Sequence, residues 1–190
     1  MAVEVKVWVN RNARQQTYWD AVAQLALGLE LAGKVVVLGC GNVLRGDDGF
    51  GPAVIAYMKS HLELDSDVVA EDVGTAAGMV IIDIRYAADP PQGLVILDAA
   101  DFGGVAGQLR EVEIEDLDAS SAGAFGLHGF PPSSLLKEIR DIRGVPIRII
   151  SCQPSDEGDD YRMSLSAPVR ASVPRAARMA LRVARGLSHK

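Results

Sequence analysis

Residues 35–50, VVVLGCGNVLRGDDGF, decide the fold class of this chain. The stretch begins with a continuous aliphatic run, which is typical of a strand buried on both faces of a parallel sheet. A turn containing Gly39, Gly41 and Gly46 follows, and then come Asp47 and Asp48. Residues 50–61 have the periodicity of a helix. A strand, a sharp glycine turn and a helix in this order predict the first unit of an α/β fold.

The same alternation continues along the chain. Further strands are predicted at 67–71, 93–98, 108–114 and 145–151, and further helices at 78–88, 131–143 and 169–187. This pattern predicts an α/β three-layer sandwich with a mostly parallel twisted sheet flanked by helices. We expect a single domain over residues 1–190, with its core at 34–187. Residues 1–33, predicted as a strand and a helix, would form an N-terminal extension.

Composition narrows the class of protein. The chain has 190 residues, 48% of them hydrophobic, and a net charge of −6, which favours one domain with a real core and disfavours nucleic-acid binding. Two cysteines, Cys40 and Cys152, do not imply a disulfide framework. The N-terminus lacks the pattern of a signal peptide, and no apolar run approaches the ~20 residues of a membrane span. We expect a cytoplasmic protein without nucleic-acid or membrane partners.

Positive charge is concentrated at the C-terminus. Residues 161–190 contain seven Lys/Arg and no acidic residue, whereas all 25 acidic residues precede them. Either the basic residues form the solvated face of a terminal helix, or they form a docking surface for an acidic partner.

The glycine turn resembles a dinucleotide-binding loop only in part. Gly39 and Gly41 fit the pattern G-x-G-x-x-G, but Leu44 occupies the third glycine position. Asp47 and Asp48 at the start of a helix would repel a pyrophosphate. A cysteine nucleophile, Cys40 with His128 as base, is a second hypothesis. The nearby aspartates would raise rather than lower its thiol pKa, so a small buried residue is the simpler interpretation.

A metal-binding group is the third hypothesis. Asp47 and Asp48 follow the first core strand, and Asp98 ends the strand at 93–98. Ligands bind beyond the carboxyl ends of strands in an open parallel sheet. His128 lies in the aperiodic stretch 115–130 and could reach the same edge, whereas His61 and His189 lie at helix ends and are expected in solvent. Two carboxylates and one imidazole would leave coordination positions open for a substrate.

Five motifs together resemble the hydrogenase maturation proteases. They are LGCGNVLRGDDGFG (38–51), DVGT (72–75), VILDAAD (95–101), GLHG (126–129) and CQP (152–154). The resemblance covers roughly residues 34–187. The family consists of endopeptidases that trim the C-terminus of the nickel-containing large subunit of [NiFe] hydrogenase. The variant of the motifs is most similar to the archaeal branch that serves coenzyme F420-reducing hydrogenases.

The resemblance implies roles for particular residues. It assigns the metal-contacting and catalytic positions to Asp48, Asp98 and His128, where family members often carry Glu in place of Asp48. It assigns substrate recognition to Asp72, Gly74 and Thr75, although Val73 replaces a glycine of the family motif.

The resemblance also implies where the metal comes from. The [NiFe] hydrogenase large-subunit precursor, as partner and substrate, would supply the nickel, so no tightly bound metal is expected in the protein itself. A hydrolase with its own zinc and a non-catalytic hydrogenase assembly chaperone remain as alternatives.

Overall fold

Five strands form one sheet in the computed structural model, which describes residues 31–119, 133–155 and 162–188. These residues all belong to the compact unit Leu31–Lys190. The strands are β1 (Val35–Cys40), β2 (Val68–Gly74), β3 (Gly93–Ala99), β4 (Leu109–Val112) and β5 (Ile147–Cys152). The strand and helix predicted within residues 1–33 lie, apart from 31–33, outside the described residues.

The strands are arranged in the order β2-β1-β3-β5-β4. All neighbouring pairs are parallel except β4 and β5, which are antiparallel at one edge of the sheet. The chain moves from β1 to one side to form β2 and then returns to the other side of β1 to form β3. The strand order therefore reverses between β1 and β3, and such a reversal opens a crevice at the carboxyl ends of the strands.

Helices cover both faces of the sheet, which confirms the three-layer prediction. The helices of the described residues are α1 (Phe50–His61), α2 (Ala77–Tyr86), α3 (Asp116–Ala119), α4 (Ser133–Arg143) and α5 (Ala167–Ser188), and a 3₁₀ turn spans Gly46–Gly49. The helices α1 and α5 pack on one face, and α2 packs with α4 on the other. Among the described residues, no helix combines the length and the apolar character needed to cross a bilayer.

The alternation of side chains along the strands sorts the core into two halves. Val35 and Val37 of β1, with Leu97 of β3, belong to the cluster that packs against α1 and α5. Successive side chains of a strand point to opposite faces. Cys40 and Asp98 therefore continue the rows that face α2 and α4, at the end of the sheet where the strand order reverses.

Two glycines let α1 begin directly against the strand ends. A Cβ atom on Gly51 would lie 2.3 Å from the carbonyl oxygen of Cys40 and 2.5 Å from that of Leu97. A Cβ atom on Gly39 would lie 2.6 Å from the carbonyl oxygen of Gly51. Real side chains do not tolerate such distances, so this close approach fixes the 3₁₀ turn above the ends of β1 and β3.

Candidate active site at the ends of β1 and β3

Asp98 provides a buried carboxyl group at this end of the sheet. The residue is 3% exposed, and its Oδ1 accepts a hydrogen bond of 2.9 Å from the backbone N–H of Ala99. Burial, and to a smaller extent the negative charge of Asp48, raise the pKa of the Asp98 carboxyl well above its usual value. A cation placed beside Asp98 would favour its charged form, because an opposite charge stabilises a carboxylate.

Asp48 belongs to the 3₁₀ turn that follows β1. Its Oδ2 accepts a hydrogen bond of 2.9 Å from the backbone N–H of Asn42, so the start of the loop holds the carboxylate in place. The loop passes very close to it at Gly41, which has a φ of +121°. Because the charge of Asp48 acts on Asp98, the structure brings these two predicted site residues together at one edge.

Asp47, the neighbour of Asp48, has a different role. It is 6% exposed, and its carboxylate accepts hydrogen bonds from the backbone N–H groups of Ser155 (2.9 Å) and Ser166 (2.6 Å) and from the Ser166 hydroxyl (2.8 Å). These donors lie more than 100 residues away in the chain. Asp47 therefore ties the turn to the segments after β5 and before α5.

We expect Asp47 to contribute more to the stability of the fold than its neighbour Asp48. Asp47→Ala leaves buried donors at Ser155 and Ser166 unpaired and should lower the free energy of unfolding by at least about 2 kcal/mol. Asp48→Asn keeps an oxygen for the Asn42 N–H and should change the free energy of unfolding by less than about 1 kcal/mol. Urea denaturation followed by circular dichroism measures both, and equal destabilisation by the two variants would refute the assignment.

Cys40 lacks the environment of a nucleophile. It is 3% exposed, and burial, followed by the charges of Asp98, Asp72 and Asp48, raises its thiol pKa well above the usual value. A thiol in such surroundings stays protonated and inert. The cysteine-nucleophile hypothesis is therefore not supported. The register of β1 and β2, which pairs Gly39 with Asp72, places Asp72 at the same edge.

The predicted recognition segment Asp72–Thr75 flanks the turn after β1. The Oδ1 of Asp72 accepts a hydrogen bond of 3.0 Å from the N–H of Gly74, which has a φ of +48°. The carbonyl oxygen of Gly74 in turn accepts a hydrogen bond of 3.1 Å from the N–H of Gly41. Asp72 and Thr75 are exposed. The segment is thus fastened to the loop that holds Asp48 and presents polar groups to solvent beside it.

His128 lies outside the described residues, and its membership of the site stays a prediction. His189 also lies outside them, whereas His61 is exposed and stacks on Tyr57 with a ring separation of 4.3 Å. Within residues 31–119, 133–155 and 162–188, no three His, Cys, Asp or Glu side chains are grouped as a metal site. The described part of the site therefore consists of the two carboxylates of Asp48 and Asp98.

Two features of the site escaped the sequence analysis. Ser151 pairs in register with Asp98, is completely buried, and has no hydrogen-bond partner for its Oγ among the described residues. The signal in the sequence that could have indicated Ser151 is a serine within the buried strand IRIISC. The other feature is a bridge between Arg45 and Arg162, in which the Gly46 N–H donates to the Arg162 carbonyl oxygen at 2.6 Å. No pattern in the sequence indicates this bridge.

Comparison with known proteins relates this chain to hydrogenase maturation proteins. The sequence profile of the family described as hydrogenase maturation protease matches residues 52–183. The hydrogenase expression/formation protein HupD of Rhizobium leguminosarum is 32% identical, over 84% of this chain and 78% of that protein. The coenzyme F420 hydrogenase subunit delta of Methanothermobacter thermautotrophicus is 28% identical, over 78% of this chain and 92% of that protein.

A solved structure supports the same relationship. The hydrogenase 2 maturation peptidase of a Thaumarchaeota archaeon superimposes with a TM-score of 0.56 at 30% identity, over 81% of this chain and 99% of that one. The profile match covers more than half of the present chain. The chain belongs to the hydrogenase maturation protease family.

Proposed function

We propose that this protein removes the C-terminal extension of a [NiFe] hydrogenase large-subunit precursor and recognises the nickel that the precursor carries through Asp48, Asp98 and His128. The observation that carries the proposal is the buried carboxyl group of Asp98, which lies at the reversal of strand order with a second carboxylate, Asp48, acting on it. A cation would stabilise the charged form of a buried carboxyl group that lies under the influence of a second carboxylate.

The ligand chemistry favours an ion that arrives with the substrate. Asp48 and Asp98 offer oxygen atoms, and Cys40 is not among the proposed ligands. Thiolates hold borderline ions such as nickel most firmly, and the proposed ligand set of this protein contains none. In the proposed complex the precursor supplies them, so that the complete set of ligands forms only when a nickel-loaded precursor is bound.

The surroundings of Asp48 suit an extended peptide. Val43 and Leu44, at the tip of the loop, and Met163, next to the Arg45–Arg162 bridge, are large apolar side chains exposed to solvent. Asp72 and Thr75 provide polar groups at the neighbouring strand end. We propose that the C-terminal segment of the precursor lies across this apolar rim, with Asp72, Gly74 and Thr75 recognising it. The choice of an F420-reducing hydrogenase as the source of the precursor stays a prediction.

His128→Ala should abolish cleavage of a nickel-loaded precursor, at least about a hundredfold, because it removes one of three proposed ligands of the ion. The circular dichroism spectrum should not change. His61→Ala is the matched control, since His61 is an exposed histidine at the end of α1 and should leave cleavage unchanged. Mass spectrometry of the precursor before and after incubation measures the loss of the extension.

Three results would contradict this proposal. Full activity of His128→Ala would remove His128 from the site. A wild-type protein that binds the precursor but never shortens it would favour an assembly chaperone. Stoichiometric zinc in the purified protein, required for cleavage, would favour a hydrolase with its own metal.

A further inference from the structure

The basic C-terminal residues lie on one face of α5. Arg175, Arg178, Arg182 and Arg185 follow one another at spacings of three and four residues, which places them on one side of a helix. All four are exposed, while the opposite side of α5 is buried in the core. At 1.5 Å per residue, the row of guanidinium groups extends for about 15 Å along the helix.

These arginines line a groove rather than a flat surface. The groove, of about 580 Å³, is bounded by the four arginines, by Leu181 and by Leu62 and Glu63, which follow the end of α1. Among the lining residues that the structure describes, Glu63 is the one carboxylate. Arg185 pairs with Asp65 at 2.5 Å. Among the described residues, no carboxylate lies within 4 Å of the guanidinium groups of Arg175, Arg178 or Arg182.

We infer that this arginine groove, defined by Arg175, Arg178, Arg182 and Arg185, is a docking surface for an acidic segment of the precursor protein. The inference rests on the proposed function. Guanidinium groups bind carboxylates in paired hydrogen bonds, and a row of them along a groove fits an extended chain with several Asp or Glu side chains. Leu62 and Leu181 supply apolar contacts along the same groove.

The position of the groove allows one substrate molecule to reach both places. Asp47 fastens Ser166, just before α5, to the turn that carries Asp48. Arg175 lies nine residues further along, about 13 Å from that point. An extended chain covers this distance with about four residues. A precursor bound through an acidic segment at the Arg175 end of the groove can therefore run toward the turn that carries Asp48.

Nucleic acid and lipid are less suitable occupants. The chain as a whole carries a net charge of −6, which repels a polyanion as large as a nucleic acid. Glu63 and Asp65 stand at one end of the row, where a continuous phosphate backbone or a bilayer surface would have to pass. A protein segment with separate acidic side chains avoids both conflicts.

The test is steady-state cleavage of the nickel-loaded precursor by Arg178→Gln/Arg182→Gln. We expect the KM to rise about tenfold with an unchanged kcat, because two charge pairs outside the reacting centre are lost. Arg178→Lys/Arg182→Lys should retain most of the affinity. Arg110→Gln/Arg170→Gln, a pair of exposed arginines outside the groove, should behave as wild type. The double Gln variant should also lose much of the salt dependence of the wild-type KM.

An unchanged KM in the double Gln variant, with an active wild-type enzyme, would overturn the docking inference and leave the proposed function intact. If the wild-type protein does not cleave the precursor, the proposed function fails, and fluorescence anisotropy with a labelled twelve-residue polyglutamate peptide tests the groove separately. Weaker binding of that peptide by the double Gln variant at low salt supports the inference. Equal binding, or a loss restricted to phosphatidylserine vesicles or to single-stranded DNA, overturns it.

Discussion

Asp98→Asn should reduce precursor cleavage by at least about a hundredfold while making the isolated protein more stable at neutral pH. The loss of activity follows because a neutral amide cannot balance the charge of a bound cation, an interaction worth several kcal/mol in metal sites. The gain in stability follows because Asp98 is buried beside Asp48, and its pKa is raised in the folded protein. A residue retained at the expense of stability is typical of a functional site.

The gain in stability of Asp98→Asn should depend on pH. Because the folded-state pKa of Asp98 lies above its unfolded value of about 3.9, its contribution to stability is complete below that value and is lost as the pH rises through the folded-state pKa. The advantage of Asp98→Asn should therefore be largest near pH 7 and disappear toward pH 4. Urea denaturation at a series of pH values measures it. A variant less stable than wild type at every pH would show that Asp98 is a structural residue.

Gly41→Ala should disable the site almost as severely as the loss of a ligand. A Cβ atom at this position would lie 1.8 Å from the backbone oxygen of Asp48, and the φ of +121° is one that residues with a side chain rarely adopt. The loop must move to relieve the contact, and the carboxylate of Asp48 moves with it. A displacement of about 1 Å can cost a hundredfold in rate.

Gly103→Ala is the matched control for Gly41→Ala. Gly103 has a φ of +71°, so alanine is strained there too, but no atom lies within 4 Å of the added Cβ. Gly103→Ala should lose about 1–2 kcal/mol of stability from backbone strain and keep its cleavage activity. Gly41→Ala should lose more stability, because of the contact with Asp48, and should also lose cleavage activity. Equal cleavage by the two variants would show that the contact between Gly41 and Asp48 does not position the carboxylate.

The fold could be predicted from the sequence because its strands and helices have strong, separate patterns. The helix predicted at 50–61 has those bounds in the structure, and the strand at 93–98 extends by one residue to Ala99. The antiparallel direction of β4 was not predictable from its short alternating pattern. Pairing direction depends on which strand lies next to it, and local periodicity does not carry that information.

The site could be predicted only in part. The sequence predicted Asp47, Asp48 and Asp98 as site residues together, because all three lie at or after the carboxyl ends of β1 and β3. The different roles of Asp47 and Asp48 could be recognised only from the contacts of Asp47 with Ser155 and Ser166, which lie more than 100 residues further along the chain. The patterning of neighbouring residues cannot reveal such contacts. For the basic C-terminal residues, the sequence left open a solvated helix face or a docking surface, and only the structure showed that the arginines line a groove.

The recognition of nickel can be tested directly by incubating the same purified protein with one precursor in two forms, nickel-loaded and nickel-free, and measuring cleavage of each. The proposed ligands from this protein are two carboxylates and a predicted histidine, without a thiolate, so the set is complete only when the precursor brings the ion. We predict release of the C-terminal extension from the nickel-loaded precursor and none from the nickel-free form, with little metal in the protease itself. Equal cleavage of the two forms would contradict the recognition of nickel by Asp48, Asp98 and His128.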